Sequence, residues 1–173
     1  MRHQLRITLG ATLAILGLGG GISASQAAGA TTCTWGGTPA APTGTFTISP
    51  GETNEPSPVP MMFTATGPLA GGPGCSGTFR FNGYFNAGSS CLLESGAGVA
   101  TGLPGVARYG GIAPVEPGAF PPLWLYNGRG QIVGSEQPNV LTDYLLTQSN
   151  ACNTPQGLTS GRFDSLIELF GGP

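Results

Sequence analysis

The chain has no lysine, and its one histidine is His3, close to the start. Arg2 and Arg6 also lie among the first 27 residues. Residues 28–173 therefore carry only Arg80, Arg108, Arg129 and Arg162 as cations against eight acids, a formal charge of 4 − 8 = −4. A serine–histidine or cysteine–histidine nucleophile needs an imidazole, and a serine–lysine dyad or a Schiff base needs an amine; neither side chain occurs after residue 27. A weak acidic surplus without basic clusters speaks against nucleic acid or an anionic membrane as a partner. The chain has no P-loop, no dinucleotide-binding glycine motif after a strand, no His-Glu-x-x-His and no calcium loop, so no cofactor is expected. Gly71-Gly72-Pro73-Gly74 is glycine-rich but lacks the lysine and the following helix, and reads as a turn. With no Cys-x-x-Cys pair and no histidine past His3, a metal site is not expected either.

The N-terminus has the parts of a secretory signal. Met1–Arg6 is a short basic head, residues 7–22 are uncharged and apolar, and small Ser25 and Ala27 stand before a cut after Ala27. The apolar run is shorter than the ~20 residues needed to span a bilayer, and Cys33 lacks the context of a lipidated cysteine. The reading is residues 1–27 as a cleaved signal peptide and residues 28–173 as a single secreted domain without a transmembrane segment. The four cysteines, Cys33, Cys75, Cys91 and Cys152, then read as two disulfides formed in an oxidising compartment.

Glycine and proline together make 47 of the 173 residues, a level at which disorder is a concern. Charge is scarce, though, and the aromatics sit in β-like runs, so the glycines and prolines read as turns between short strands. Residues 45–49 and 61–66 are strands. From Cys75 to Asn86, Phe79, Phe81 and Phe85 share one parity, marking a strand with an aromatic inner face. Residues 91–101 return beside it, residues 106–109 follow, and Leu123-Trp124-Leu125-Tyr126 pairs with Gln131–Gly134 across Asn127-Gly128. Residues 141–146 suit one or two helical turns. Residues 162–170 fit a strand and an amphipathic helix equally. The sum is an all-β fold, an antiparallel sandwich or barrel of about seven to nine short strands.

A Cys75–Cys91 bond would join the open end of the 75–86/91–101 hairpin to its turn, tens of ångströms apart at ~3.3 Å per residue. Sequential pairing favours Cys33–Cys75 with Cys91–Cys152.

The segments GTFTISPG, TATGPLAGGPGCSGTF, LPGV and LYNGRGQIVG resemble small exported β-domain proteins of actinobacterial type, and the use of arginine without lysine fits a GC-rich genome. That resemblance implies export and a β fold, and carries over no functional residue.

For chemistry, carboxylates remain. Glu94, Glu116, Glu136, Asp143, Asp164 and Glu168 could supply a glycosidase-like pair of acid and base. Glu52 and Glu55 read as solvated in a proline-rich loop, and Asp164 and Glu168 as the wet face of an apolar segment. Glu94 stands alone in mid-strand, to face solvent, to pair with Arg80 or Arg108 on a neighbouring strand, or to lie buried beside a second acid. Trp35, Trp124 and Tyr126 form a candidate binding surface if exposed, the alternative being core packing. The expected function is a secreted or envelope-associated, non-catalytic β domain serving as a binding or interaction module for a cell-envelope, protein or carbohydrate partner. The alternatives are a carboxylate-dependent hydrolase and a β-barrel carrier of a small apolar ligand.

Overall fold

Alternation of apolar and polar residues writes most of the strands, and glycine or proline ends them. A computed structural model describes residues 29–114, 123–138 and 150–171. Its strands are β1 (Thr31–Trp35), β2 (Gly37–Thr38), β3 (Ala41–Pro42), β4 (Gly44–Glu52), β5 (Met61–Gly71), β6 (Thr78–Phe85), β7 (Leu93–Thr101), β8 (Arg108–Pro114), β9 (Leu123–Tyr126), β10 (Ile132–Pro138), β11 (Leu158–Phe163) and β12 (Ser165–Leu169). The expected 141–146 helical turn lies outside the described residues, as do Glu116 and Asp143. No helix among the described residues is long and apolar enough to cross a membrane.

The architecture is an antiparallel barrel of eight staves, and the sandwich alternative falls away because the sheet closes on itself. β5 to β10 run as a simple meander. One further stave is β11 and β12, nearly continuous and bent at Asp164. The closing stave is split. β1 pairs with β12 and with the far half of β5, whereas β4 pairs with β11 and with the near half of β5. β1 and β4 thus occupy one position in the barrel, and the small β2–β3 hairpin steps outside it. Residues 162–170 resolve as strand because β1 and β10 both pair with β12, and two ladders outweigh helical spacing.

Trp35 lies in the core, 2% exposed, which removes it from the expected binding surface. Its indole Nε1 donates to Phe79 O at 3.0 Å, and its rings contact Phe81 and Phe163 at centroid distances of 4.6 and 4.4 Å. Phe79, Phe81 and Phe85 face inward as their parity demands. In the β9–β10 hairpin Leu125 is buried and Leu123 packs on the core, so Trp124, 37% exposed, and half-buried Tyr126 turn the other way. On the outside Trp124 lies near Phe170, with ring centroids 6.4 Å apart. The positive φ in that turn belongs to Gly130 (φ 80°), not to the Asn127-Gly128 pair; Asn127 instead accepts from the amides of Arg129 and Gln131.

Tyr109 stacks on Phe81 with centroids 4.0 Å apart. It can do so because Gly83 and Gly98 oppose each other across β6 and β7. A Cβ on Gly98 would come within 2.6 Å of Gly83 Cα and 2.7 Å of Tyr109 Cε1. Gly98→Ala should therefore destabilise the barrel by ~1–3 kcal/mol through overpacking. Urea unfolding measures it, and an unchanged midpoint would mean that Tyr109 has another place to go.

The disulfides are Cys33–Cys75 and Cys91–Cys152, leaving no free thiol among the described residues. Cys75 sits in the turn before β6 rather than in a strand, and Cys91 just before β7. The first bond joins β1 to the β5–β6 turn. The second gathers the loops at the opposite end, where Cys91 N donates to Thr53 O (2.8 Å) and Asn54 N to Cys152 O (3.2 Å).

Candidate functional site

The end of the barrel gathered by Cys91–Cys152 carries acids on its inside. Glu52 ends β4, with Leu158 of β11 opposite it. It is 1% exposed, so the expectation of a solvated loop acid is overturned. Pro50-Gly51 does not end the strand: the chain continues against the 154–157 turn, where Gly157 (φ 68°) lets backbone meet backbone at Glu52. Neither carboxylate oxygen of Glu52 has a well-formed hydrogen bond among the described residues.

Glu94 is half-buried on β7, on the parity of Gly96, Gly98 and Ala100, which is the inner face. The preceding loop fixes it. Ser89 Oγ accepts from Ser95 N (3.1 Å) and donates to Ser95 O (3.2 Å), and Ser90 N donates to Leu93 O (2.9 Å). Its neighbour is Glu52, not an arginine; Arg80 and Arg108 are both exposed.

Glu136 comes from β10 opposite Ile167 and Leu123, both inward-facing, and is 3% exposed. Ser165, at the start of β12, lies beside it. The serine hydroxyl, like the Tyr109 hydroxyl, is buried without a well-formed hydrogen bond among the described residues.

Burial dominates the electrostatics. It lifts Glu52 from the usual 4.5 to about 9, helped by the charge of Glu94 and by a proton on Glu52 directed at that carboxylate. Burial also lifts Glu94 to about 7, opposed by the same interaction with Glu52. Glu136 rises to about 7, again by burial, with Ser165 pulling it down and Glu94 pushing it up. The Tyr109 phenol is pushed up by burial as well. At neutral pH Glu52 is protonated while Glu94 and Glu136 sit near half-ionisation.

Among the described residues no arginine is buried with these acids. All four arginines after residue 27 are described and exposed, and neither lysine nor histidine occurs there. Among the described residues no three ligating side chains converge closely enough to hold a metal ion.

Of the other carboxylates, Glu55 and Glu168 are exposed, whereas Asp164 is buried at the β11–β12 bend instead of keeping an outer face wet. The sequence carried one signal for Glu136 that was not used: the strand runs on past Gly134, and Glu136 shares the parity of Gly134; Ile132, across a bulge, faces outward. No family model, curated protein or solved structure matches the chain, so the site is read from its own chemistry.

Proposed function

We propose that this is an exported, non-catalytic barrel protein that holds a small polar molecule in its acidic end. The observation behind this reading is that Glu52, Glu94 and Glu136 stand on the inner face of a closed barrel, where Glu52, Ser165 and Tyr109 also carry buried polar atoms without a well-formed hydrogen bond among the described residues. Buried polar groups are nearly always satisfied, and leaving one unpaired costs ~1–3 kcal/mol. A bound molecule that supplied the missing partners would recover that cost. The acids favour a polar occupant over the apolar one expected of a simple carrier barrel, and the burial of Trp35 weakens the reading as a surface module. Ligand-detected NMR with a mixture of small polar metabolites should find binders to the wild type that are lost in Glu94→Gln/Glu136→Gln. Binders that survive in the double variant would place binding elsewhere.

Two disulfides in a chain with a basic head and a short apolar run favour an extracellular location. Mass spectrometry of the protein recovered from culture medium should give a chain beginning at Ala28 or within a few residues; full-length chain held in the membrane would contradict export.

A second reading rests on one observation, that Glu52 holds its proton beside the more acidic Glu94. Two carboxyls pushed apart in this way are how hydrolases assign acid and base. Turnover of a glycoside that disappears in Glu94→Gln would establish that reading in place of the non-catalytic one.

A further inference from the structure

We infer that the outer face of β6–β9 is a second binding surface, and that it takes an acidic polysaccharide held by Arg80, Arg108 and Arg129 and stacked on Tyr84 and Trp124. The surface lies outside the wall, so it does not depend on the interior reading above.

The fold builds this face from residues far apart in sequence. Ladder pairing sets Tyr84 opposite Ala97, Ala97 opposite Gly110 and Gly110 opposite Trp124, one row across four strands. The next row is Asn82, Val99, Arg108 and Tyr126. Arg80 stands one outward position further along β6, opposite Thr101. Tyr84, Val99 and Trp124 are exposed, and so are Arg80, Asn82 and Arg108. They alternate with Phe81, Ala100, Tyr109 and Leu125, which face the core.

The first support is charge. Residues 28–173 carry a formal charge of 4 − 8 = −4, yet three of their four arginines gather here. Arg108 reaches over the β9–β10 turn: its guanidinium would meet a Cβ on Gly130 at 3.3 Å, and Gly130 is next to Arg129. Between residues 56 and 135 the only acids are Glu94 and Glu116. Glu94 faces inward, and Glu116 lies outside the described residues. Among the described residues no acid shares this face, and Arg80, Arg108 and Arg129 form no ion pair. A patch of one sign on a chain of the other complements an anion.

The second is shape. Tyr84 and Trp124 stand three strands apart, ~14 Å along the sheet at ~4.8 Å per strand. Only Ala97 and Gly110 lie between them in that row, and a Cβ on Gly110 would meet nothing closer than Ala97 Cβ at 3.4 Å. The floor between the rings is therefore open. Rings with a polar tip offer one face to the C–H side of a sugar and a hydrogen bond to its hydroxyls. Contacts spread this widely call for a chain of several units rather than one small molecule.

The third separates a polysaccharide from nucleic acid. Duplex DNA carries a charge every ~1.7 Å, and a chain of net charge −4 opposes so dense an anion. Arg80 and Arg108 are two strands apart and offset by two residues, ~12 Å along the sheet. That spacing suits the sparser carboxylates of a uronic-acid chain, each of which a guanidinium can hold through two parallel N–H···O bonds.

The test is biolayer interferometry at low ionic strength. The probes are polygalacturonate and alginate as acidic glycans, dextran as a neutral one, and polyglutamate and poly(dT) as anionic chains of other classes. Wild type should bind both acidic glycans at least tenfold more tightly than the other three. Arg80→Gln/Arg108→Gln/Arg129→Gln should lose tenfold or more. Tyr84→Ala/Trp124→Ala, which leaves the charge unchanged, should lose as much, with folding of both variants checked by circular dichroism. Glu94→Gln/Glu136→Gln, altered only inside the barrel, should bind the glycans as the wild type does. Polyglutamate bound as tightly as the glycans, or full binding by the ring variant, would reduce the face to a charge patch and overturn the glycan. Tighter binding of poly(dT) would give the face to nucleic acid instead. No binding of either acidic glycan by the wild type, binding unchanged in the arginine variant, or loss in the interior variant would overturn the assignment to this face.

Discussion

Lowering the pH from 8 to 5 should stabilise this protein, the reverse of ordinary acid denaturation. Glu136 illustrates the sign. Its carboxyl has a folded value of about 7 against the usual 4.5, so the folded state binds the proton more tightly than the unfolded chain does. Below ~4.5 both states are protonated and nothing is lost. Between 4.5 and about 7 the unfolded chain ionises while the folded one resists, and stability falls with each step in pH. Above about 7 the loss is complete and levels off. At ~1.4 kcal/mol per pKa unit this comes to about 3 kcal/mol for Glu136, several degrees in melting temperature for a chain of this size. Glu94 acts in the same direction over the same window, and Glu52 extends the decline towards pH 9. Glu136→Gln should flatten the profile and raise the melting temperature at pH 8, because an amide carries no charge to desolvate. Thermal unfolding at half-unit steps from pH 5 to 9 is the measurement. A wild-type profile that falls on acidification, or one unaltered by Glu136→Gln, would show that these acids are solvated.

The second large effect belongs to the disulfide at the acidic end. Cys91–Cys152 closes a separation of 61 residues, and on chain-entropy grounds its loss costs ~4 kcal/mol. Cys33–Cys75, separated by 42 residues, should cost nearly as much. The two differ in what else they hold. Only Cys91–Cys152 ties the loop after Glu52 to the loop before Glu94, through the Cys91 N to Thr53 O and Asn54 N to Cys152 O bonds. Cys91→Ser/Cys152→Ser should therefore lose both stability and the binding of a small polar ligand proposed above, and Cys33→Ser/Cys75→Ser only stability, read by urea unfolding and by ligand-detected NMR on the folded fraction. Equal binding in the two double variants would mean that the end loops do not depend on the bond for their geometry.

The fold was largely legible because its signals are local. The Phe79, Phe81, Phe85 alternation and the β9–β10 pair stand in the sequence as they stand in the barrel. The impossibility of joining the two ends of one hairpin removed only Cys75–Cys91; the preference for sequential pairing then pointed to the observed bonds between the two schemes left. What decided barrel over sandwich was not local: it is the pairing of β1 with both β12 and β5, contacts between chain ends that no short pattern encodes. The site was legible at Glu94, a charged residue in mid-strand with no obvious partner, and at Glu136 only as one of six candidate carboxylates. Glu52 was hidden because Pro50 and Gly51 break the alternation just before it and a proline-rich loop follows, so that only its pairing with β11 reveals it as a strand residue. Asp164 was hidden by the bend it occupies.

The split closing stave gives this barrel a place where its length can change. Between β1 and β4 the chain leaves the wall at Gly36 and rejoins it at Gly44, with both amides of the return, Thr43 N and Gly44 N, donating to Gly36 O. Thr38, Pro39, Ala40 and Ala41, at the tip of the excursion, are exposed and contribute nothing to the core. Loop closure entropy grows only slowly with length, roughly 0.6 kcal/mol per doubling. A peptide epitope or a whole small domain spliced between Pro39 and Ala40 would hang from the outside of the wall, leaving the register of the staves and the acids at the far end where they are.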